Sequence, residues 1–251
     1  MARAFADRGA ALVLADIDEA ALADARSEFE DRGTRVLTVV TDVRERESVF
    51  ALAETATDTF GSIHILCNNA GIAPFGACVG ADPKDWEITL AVNFWGVVHG
   101  IDAFVPDMLA RGEGGHVVNT ASMAGLTGML GLGMYCASKF AVVGLTESLH
   151  RELRGGDIGV SVLCPMVVDT GIGSNSQRVL ARSIPDPDAV KESAPNLLAG
   201  SVISADAVAK RVVRAIDRKD FYIFTHPEQR EILRRRATRQ DEMFDDDEWN
   251  S

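Results

Sequence analysis

Short apolar runs alternate along this chain with longer segments of helical spacing, and this alternation constrains the fold more than any other feature. Apolar runs of five residues occur at 11–15, 36–40, 63–67, 116–120 and 160–164. Helical spacing occurs between and after them, at 19–30, 46–60, 83–110 and 135–153. Such short runs are typical of strands buried on both faces, and their alternation with helices favours a parallel sheet. We therefore expect an α/β fold, with a doubly wound parallel sheet in a three-layer α/β/α arrangement.

The chain shows no internal boundary that would divide it into domains. Between 166 and 203 the periodic pattern gives way to Gly, Ser, Pro and scattered aliphatic residues, which is typical of a substrate-side loop or lid. The last residues, 241–251, are mostly acidic and lack a periodic apolar face. The sequence predicts one domain over 1–240, followed by a loosely ordered acidic tail.

Charge and composition argue against several classes of function. The formal net charge of −12 opposes binding to nucleic acid, which depends on Lys and Arg neutralising phosphates. The arginine-rich stretch 230–239 is flanked by acidic residues, so we interpret it as a solvated, peripheral helix. Charged residues interrupt the apolar stretch at 1–16, and neither a signal peptide nor a membrane anchor is predicted. The four cysteines are widely spaced, which favours free thiols in a reducing cytoplasm over a disulfide framework.

Tyr135 and Lys139 are separated by four residues, which places a phenol and an ammonium group on one face of a helix. Opposite charges about 4 Å apart attract by roughly 4 kcal/mol at intermediate dielectric, enough to lower the pKa of a phenol. Tyr135 could then act as a base near neutral pH. The alternative for a lone pair of this kind is a solvated helix surface. Ser122 favours a catalytic role for this pair, because it follows the run 116–120. Such a run ends at the carboxyl edge of a parallel sheet, which presents groups to ligands.

Taken together, these residues resemble the catalytic set of the short-chain dehydrogenase/reductase family. Ser122, Tyr135, Lys139 and Asn93 match the family's Ser, Tyr-x-x-x-Lys and helical Asn. The run Asn68-Asn69-Ala70-Gly71 is similar to its N-N-A-G motif, and Asp42-Val43 to its D-V motif. The resemblance implies that Tyr135 exchanges a proton with the substrate oxygen, Ser122 hydrogen-bonds that oxygen, and Lys139 holds the nicotinamide ribose. Asn93 would support a water relay.

The same resemblance implies a nicotinamide cofactor along the sheet edge. Asp16 directly follows the run 11–15. A carboxylate at this place can bind the ribose 2′-hydroxyl and would repel a 2′-phosphate, so NAD is expected in preference to NADP. The alternative for Asp16 is a helix cap, a role that Asp18 can fill instead. The implied cofactor contacts are Asp16, Ile17, Asp42, Val43, Asn69, Ala70, Gly71, Tyr135, Lys139, Pro165, Val168 and Thr170.

The chain departs from the family's pattern in two places. Met166 replaces the usual Gly of P-G-x-x-x-T, where a side chain would shift the loop or narrow the substrate entrance. Residues 1–6 resemble the helix that follows the family's first strand and T-G-x-x-x-G-x-G loop, so we expect that strand and loop to be missing. The glycines at 125–133 are interpreted as a tight substrate-side turn and not as a displaced phosphate loop. The missing loop keeps a second hypothesis open, a catalytically silent binding or interaction module.

The expected reaction is hydride transfer between NAD and a secondary alcohol or ketone, with alcohol oxidation as the working direction. His64, His99 and His116 lack metal-ligand spacing, so no metal is predicted. Met123, Met129 and Met134 either line a pocket or fill the core. The resemblance implies a homo-oligomer that pairs through 83–110 and 135–153. A medium-sized apolar substrate is suggested by Phe75, Val79, Val167, Ile172, Leu180, Ile184, Leu197 and Leu198.

Overall fold

The strands pair in parallel, as the alternating pattern predicts. The computed structural model describes residues 1–180 and 201–244. Its strands are β1 (Leu12–Asp16), β2 (Val36–Val40), β3 (Ile65–Asn68), β4 (Gly115–Thr120), β5 (Ile158–Cys164), β6 (Val168–Asp169), β7 (Ile203–Ser204) and β8 (Tyr222–Phe224). One sheet has the order β1-β2 and a second the order β3-β4-β5-β8, while β6 and β7 form a short pair of their own.

Helices cover both faces of these sheets. They are α1 (Ala2–Ala6), α2 (Glu19–Asp31), α3 (Arg46–Phe60), α4 (Pro83–Leu90), α5 (Gly96–Arg111), α6 (Gly133–Glu152), α7 (Ile172–Leu180), α8 (Ala205–Arg218) and α9 (Gln229–Asp241). Val117 on β4 packs among side chains of α3 and α5, and its neighbour Val118 packs among those of α8. Because successive strand residues point to opposite faces, the arrangement has the three predicted layers.

The five predicted strands and four predicted helices are present, with ends that differ by up to two residues. Helix α8 and strand β8 were not predicted. In the described parts of the predicted loop 166–203, which are 166–180 and 201–203, the chain forms β6, α7 and the start of β7, which were not predicted. The acidic tail was also placed too early, since Asp241 ends α9 and residues Glu242–Phe244 form a 3-10 turn. Residues 184, 197 and 198 of the predicted pocket lie outside the described residues.

The helical segment 83–111 packs in the core and contains one irregular turn. Between α4 and α5, residues Ala91–Trp95 form a π-helical turn. By length and composition alone this segment is the one described helix that would suffice to cross a membrane. Phe104, Val105 and Met108 are nonetheless buried in the core between α3 and the sheet. Such composition is expected of the core helix of a globular domain.

A boundary between the two sheets runs through the centre of the fold. Within residues 1–180 and 201–244, β1 pairs with β2 alone and β3 pairs with β4 alone. Val13 and Val39 from the first sheet pack against the cluster that contains Leu66 of β3, so both sheets border one core. In the described residues, β1 and β3 therefore each have one edge without a paired strand.

Candidate active site

The parallel sheets bring the predicted site residues to one edge. Asp16 ends β1, and Asp42 follows β2 by two residues. Asn69 follows β3 directly, Ser122 follows β4, and Pro165 follows β5. Because all these strands run in the same direction, their carboxyl ends lie along one side of the molecule, where ligands of such sheets bind.

Ser122 is held between β4 and the residues that follow β5. The N–H groups of Ala121 and Met123 donate to the carbonyl oxygens of Leu163 and Pro165, each at 2.8 Å. These two bonds extend the pairing of β4 with β5 beyond the strand itself. The Ser122 hydroxyl accepts a hydrogen bond from the Ala124 N–H at 3.1 Å, which caps the short 3-10 turn at Met123–Gly125.

Helix α6 presents Tyr135 to Ser122 from its first turn. Ser122 and Tyr135 are both buried, and Ser122 lies close enough to Tyr135 to lower the pKa of its phenol. Gly125 permits this close approach, because a Cβ built on it would lie 2.6 Å from the Lys139 carbonyl oxygen. The strand end and the helix start therefore converge, as the sequence predicts.

Lys139 lies one helical turn beyond Tyr135, and its side chain is only 3 % exposed. Its Nζ donates to the carbonyl oxygen of Thr120 at 2.8 Å and lies 5.7 Å from the centroid of the Tyr135 ring. Burial lowers the pKa of Lys139 to about 8. An ammonium group has three N–H donors, and in the described part of the chain Thr120 supplies its one hydrogen-bond acceptor.

The expected lowering of the Tyr135 pKa by Lys139 is not found in the structure. Burial raises the pKa of Tyr135 above its usual value of 10.0, and the nearby Ser122 hydroxyl only partly opposes this effect. The physical reason is that an anionic phenolate loses its hydration in this site, and the lysine ammonium is directed to Thr120. Tyr135 is therefore a neutral phenol at pH 7.

Asn93 lies in the π-helical turn and is fully buried. Its Oδ1 accepts from the Ile72 N–H and its Nδ2 donates to the Ile72 carbonyl oxygen, both at 2.8 Å. Nδ2 also donates to the Ser138 hydroxyl, which in turn donates to the Tyr135 carbonyl oxygen. The Asn93 side chain thus fixes the segment after β3 to the helix that carries Tyr135, and Ser138 is a member of the site that the sequence analysis missed.

The predicted adenosine-side residues lie where β1 and β2 end. Asp18 accepts from the Ala21 N–H and caps α2, which leaves the exposed Asp16 carboxylate with the Asp18 N–H as a neighbour. Ile17 is 53 % exposed beside it. Asp42 forms an ion pair with Arg44, which lowers the pKa of that carboxyl. The carbonyl oxygen of Val43 is hydrogen-bonded to His99, so the strand end is tied to α5.

The Asn69-Ala70-Gly71 segment crosses the space between the strand ends and α6. The Oδ1 of Asn69 accepts a hydrogen bond from the Thr120 hydroxyl at 3.2 Å. A Cβ built on Gly71 would lie 3.3 Å from Asn93 Oδ1 and 3.4 Å from Lys139 Nζ, which is a tight contact. Gly71 therefore lets the chain pass directly beside the buried catalytic candidates.

The same arrangement is found in a known family of enzymes. The family model described as short chain dehydrogenase matches residues 1–180. This chain belongs to the short-chain dehydrogenase family. A crystal structure of a short chain dehydrogenase/reductase from Burkholderia phymatum in complex with NAD superposes on it with a TM-score of 0.86, at 40 % identity, covering 96 % of this chain and 90 % of that chain.

Curated relatives of this dehydrogenase include enzymes with stated reactions. The 1-deoxy-11-beta-hydroxypentalenate dehydrogenase of Streptomyces exfoliatus is 36 % identical, covering 96 % of this chain and 81 % of that protein. The CLA biosynthesis dehydrogenase/reductase of Lactiplantibacillus plantarum is 34 % identical, covering 95 % and 87 %. The probable oxidoreductase EphD of Mycobacterium tuberculosis is 35 % identical, and there the chain spans 36 % of the relative's length.

The segment after β5 carries the remaining predicted contacts of the dehydrogenase. Pro165 accepts from Met123 through its carbonyl oxygen, Val168 lies in β6, and Thr170 is exposed just before α7. Met166 is held by a hydrogen bond from its N–H to the Thr225 hydroxyl at 3.3 Å. The family's Gly is therefore replaced at a position whose backbone is anchored by the segment after β8.

The start of α9 is part of the site, contrary to the prediction that this helix is peripheral. Gln229 is 1 % exposed, and its Nε2 donates to the Cys164 carbonyl oxygen at 2.7 Å and contacts the Met123 Sδ. Its Oε1 accepts from the N–H groups of Thr225 and His226. Gln229 thus supports the wall behind Ser122. A polar residue at the start of a charged helix gives no sequence signal of this role.

Most histidine, cysteine and methionine side chains have packing positions in the fold. His116 is buried beside Ser161, and burial lowers its pKa to about 4. All four cysteines are free thiols, with Cys136 and Cys164 buried and Cys78 exposed. Met123 and Met134 are buried, and Met129 packs against the cluster of Ala124, Tyr135 and Cys136. Among residues 1–180 and 201–244, no group of three potential metal ligands occurs.

The buried ammonium group of Lys139 makes stability dependent on pH. The folded pKa is about 8 and the usual value for lysine is 10.5, so the unfolded chain binds more protons between these values and folding becomes more favourable as pH rises. We expect the difference in unfolding free energy between the wild-type protein and Lys139→Met to rise by roughly 1 kcal/mol per pH unit in this window. Chemical denaturation from pH 7 to 10.5 measures it.

Comparison with Lys139→Met also removes the contribution of other titrating groups to the pH dependence of stability. Burial raises the pKa of Cys67 and Cys164, which lowers stability above about pH 9, but these thiols are present in both proteins. A difference that stays constant across the window would contradict a lowered lysine pKa.

Proposed function

We propose that this dehydrogenase transfers a hydride between NAD and a secondary alcohol or ketone, with Tyr135 as the proton-transfer group. The observation that carries the proposal is the placement of Ser122 and Tyr135 together as buried polar groups at the carboxyl edge of the sheet. Lys139 lies directly behind this pair. A polar pair of this kind, surrounded by apolar side chains and next to a buried cation, fits general acid–base chemistry.

The protonation state of Tyr135 sets what each direction of the reaction requires. As a neutral phenol, Tyr135 donates its proton to a carbonyl oxygen during ketone reduction. Alcohol oxidation requires the phenolate, which takes the proton from the substrate hydroxyl. Ser122 hydrogen-bonds the substrate oxygen in both directions. Because burial raises the Tyr135 pKa, the oxidation rate is expected to increase with pH across the neutral and alkaline range.

The residues at the sheet edge fit a nicotinamide dinucleotide. The buried Lys139 ammonium retains donor capacity for ribose hydroxyls beyond its bond to Thr120. The exposed Asp16 carboxylate follows the β1 strand, where it would accept from the adenosine ribose 2′-hydroxyl and repel a 2′-phosphate. NAD is therefore the proposed cofactor, in preference to NADP. When bound, its nicotinamide ring supplies the hydride acceptor or donor.

The proposed substrate is a medium-sized apolar secondary alcohol, and alcohol oxidation is the proposed working direction. Phe75, Val167 and Ile172 supply apolar surface close to the site. The relative from Streptomyces exfoliatus is named for dehydrogenation of a hydroxypentalenate, which supports an alcohol with a large hydrocarbon frame. Pockets for such ligands are lined mainly by apolar side chains, with a few polar groups that fix the reacting atom.

We also propose that the active enzyme contains a further parallel strand between β1 and β3, together with a glycine-rich phosphate-binding loop. The strand pairing supports this proposal, because in the described residues β1 pairs with β2 alone and β3 with β4 alone. A loop that follows a strand at this position would bring backbone N–H groups to the cofactor pyrophosphate, between Asp16 and Asn69.

Replacing Tyr135 by Phe is expected to lower kcat for secondary-alcohol oxidation by about 100- to 10,000-fold, because the proton-transfer group is removed. Initial rates with NAD+ and a panel of secondary alcohols, from small polyols to hydrocarbon-rich alcohols, measure this effect. The matched control is Tyr222→Phe, since the chain has two tyrosines and the second is partly exposed beside Glu147. A Tyr135→Phe enzyme that keeps at least a tenth of wild-type kcat would contradict the assignment.

Isothermal calorimetry tests the cofactor and the proposed strand together. NAD+ and NADP+ are titrated into the chain as printed and into a chain extended at its N-terminus by a strand and glycine-rich loop. We expect the extended chain to bind NAD+ more tightly by at least tenfold than NADP+, and Asp16→Ala to remove most of that preference. Equal binding to both chains argues against the strand, and binding by neither folded chain favours a silent module over an enzyme.

A homo-oligomer, in the cytoplasm, is proposed as the working form. Trp95 and Leu109 are 51 % and 52 % exposed on the segment 83–111, and Phe140 on α6 is 36 % exposed. Exposed side chains of this size on neighbouring helices are typical of protein interfaces. Sedimentation velocity is expected to give a dimer or tetramer, and Trp95→Glu is expected to shift the protein to monomer. A wild-type monomer at micromolar concentration would contradict this proposal.

A further inference from the structure

The loop after β3 contacts the segment that leads into Tyr135 at consecutive residues. The Gly76 N–H donates to the Gly131 carbonyl oxygen at 2.8 Å, and Gly76 forms a bridge with Leu132. The Phe75 ring occupies the space beside Gly131, since a Cβ built there would lie 2.1 Å from the ring. This loop, residues 72–82, therefore forms one wall of the path to Tyr135.

The contact between Cys78 and Gly133 is the closest of this set to the catalytic tyrosine. A Cβ built on Gly133 would lie 1.8 Å from the Cys78 Sγ but 3.4 Å from the Cys78 Cβ. The thiol therefore fills the space that any side chain at 133 would need. Gly133 is the first residue of α6, two residues before Tyr135.

The loop that carries Cys78 is fixed at its other end to the buried centre of the site. Ile72 is bound through both its N–H and its carbonyl oxygen by Asn93. The Ala73 N–H donates to the hydroxyl of Ser176, a fully buried residue of α7, at 2.8 Å. Because the loop is anchored at Ile72 and Ala73, a larger side chain at 133 must move either the exposed Cys78 thiol or the start of α6.

We infer that Cys78 is a positioning residue, whose thiol packs on Gly133 and sets the first turn of α6 so that Tyr135 meets Ser122. The inference rests on the proposed role of Tyr135 in proton transfer. A displacement of about 1 Å at a reacting group can reduce turnover by about 100-fold, so a packing contact two residues away is sufficient to affect the rate.

The test uses three variants. Gly133→Ala enlarges the side chain on one side of the contact, Cys78→Ala shortens the side chain on the other, and the double variant combines both changes. Gly133→Ala is expected to lower kcat by about 10- to 100-fold, with a smaller change in KM. Helix propensity predicts the opposite sign for stability, because Ala is preferred to Gly in a helix. Without the thiol, the Cβ of residue 78 is the nearest atom, 3.4 Å from a Cβ at 133. The kcat of the double variant is therefore expected within about threefold of the kcat of Cys78→Ala.

The pH profile of kcat separates positioning from general destabilisation. Displacement of Tyr135 from Ser122 weakens an interaction that lowers the tyrosine pKa, so the apparent pKa of alcohol oxidation should rise in Gly133→Ala and return in the double variant. Gly144→Ala is the matched control, because it lies in the same helix and a Cβ there meets nothing within 4 Å. Its kcat, KM and pH profile are expected to be unchanged.

The proposed function and the positioning role fail in different ways. If wild type and Tyr135→Phe turn over equally, the proposed function is wrong and the positioning role is lost with it. If Tyr135→Phe is inactive but Gly133→Ala keeps wild-type kcat, or the double variant stays as slow as Gly133→Ala, the positioning role alone is overturned. The positioning role is also overturned if the two substitutions alter each other's effect on the melting temperature but not on kcat. The contact would then contribute to packing alone.

Discussion

The continuation of β4–β5 pairing past the end of β4 is the constraint on which the site depends. The bonds from Ala121 to Leu163 and from Met123 to Pro165 hold the residues on both sides of Ser122 against the chain that ends β5. Without them Ser122 would lie in an irregular loop, with more conformational freedom to lose when a ligand binds. Because β5 is also held by Gln229 at Cys164, the order that reaches Ser122 extends from the helix α9 through the sheet.

The second constraint is electrostatic, and it follows from how completely the site is buried. Burial destabilises both charged forms that the chemistry needs, the ammonium of Lys139 and the phenolate of Tyr135. The polar groups nearby only partly compensate, since Thr120 accepts from Lys139 and Ser122 lies close to Tyr135. At neutral pH the site therefore holds a neutral phenol next to a lysine whose ammonium form is weakened by burial. A polar ligand that accepts from Lys139 would stabilise its ammonium form, and the resulting charge would favour the phenolate.

The sequence predicts the parts of this molecule that follow from short-range pattern. Strand-helix alternation gives the parallel sheets, and the spacing of Ser122, Tyr135 and Lys139 gives one site because strand ends and helix starts meet at one edge. The Asp18 cap was also predictable, since side-chain chemistry at a helix start is local. The roles of Ser138, Ser176 and Gln229 were not, because their partners are set by packing between distant segments. The raised pKa of Tyr135 was missed for a related reason, since spacing reveals a nearby charge but not the depth of burial.

Glycines in the core of the fold show how differently close approaches can be built. Gly125 and Gly115 face backbone carbonyl groups of Lys139 and His64, with built Cβ contacts of 2.6 Å, and no single side-chain change can relieve such a contact. Gly100 faces the amide of Asn68, which is itself bonded to Asn119, so relief there would break a polar network. Gly133 differs because its close neighbour is the terminal atom of one side chain. Of these four glycines, Gly133 is the one whose close contact can be relieved by shortening a single side chain, without a change in the backbone or the loss of a hydrogen bond.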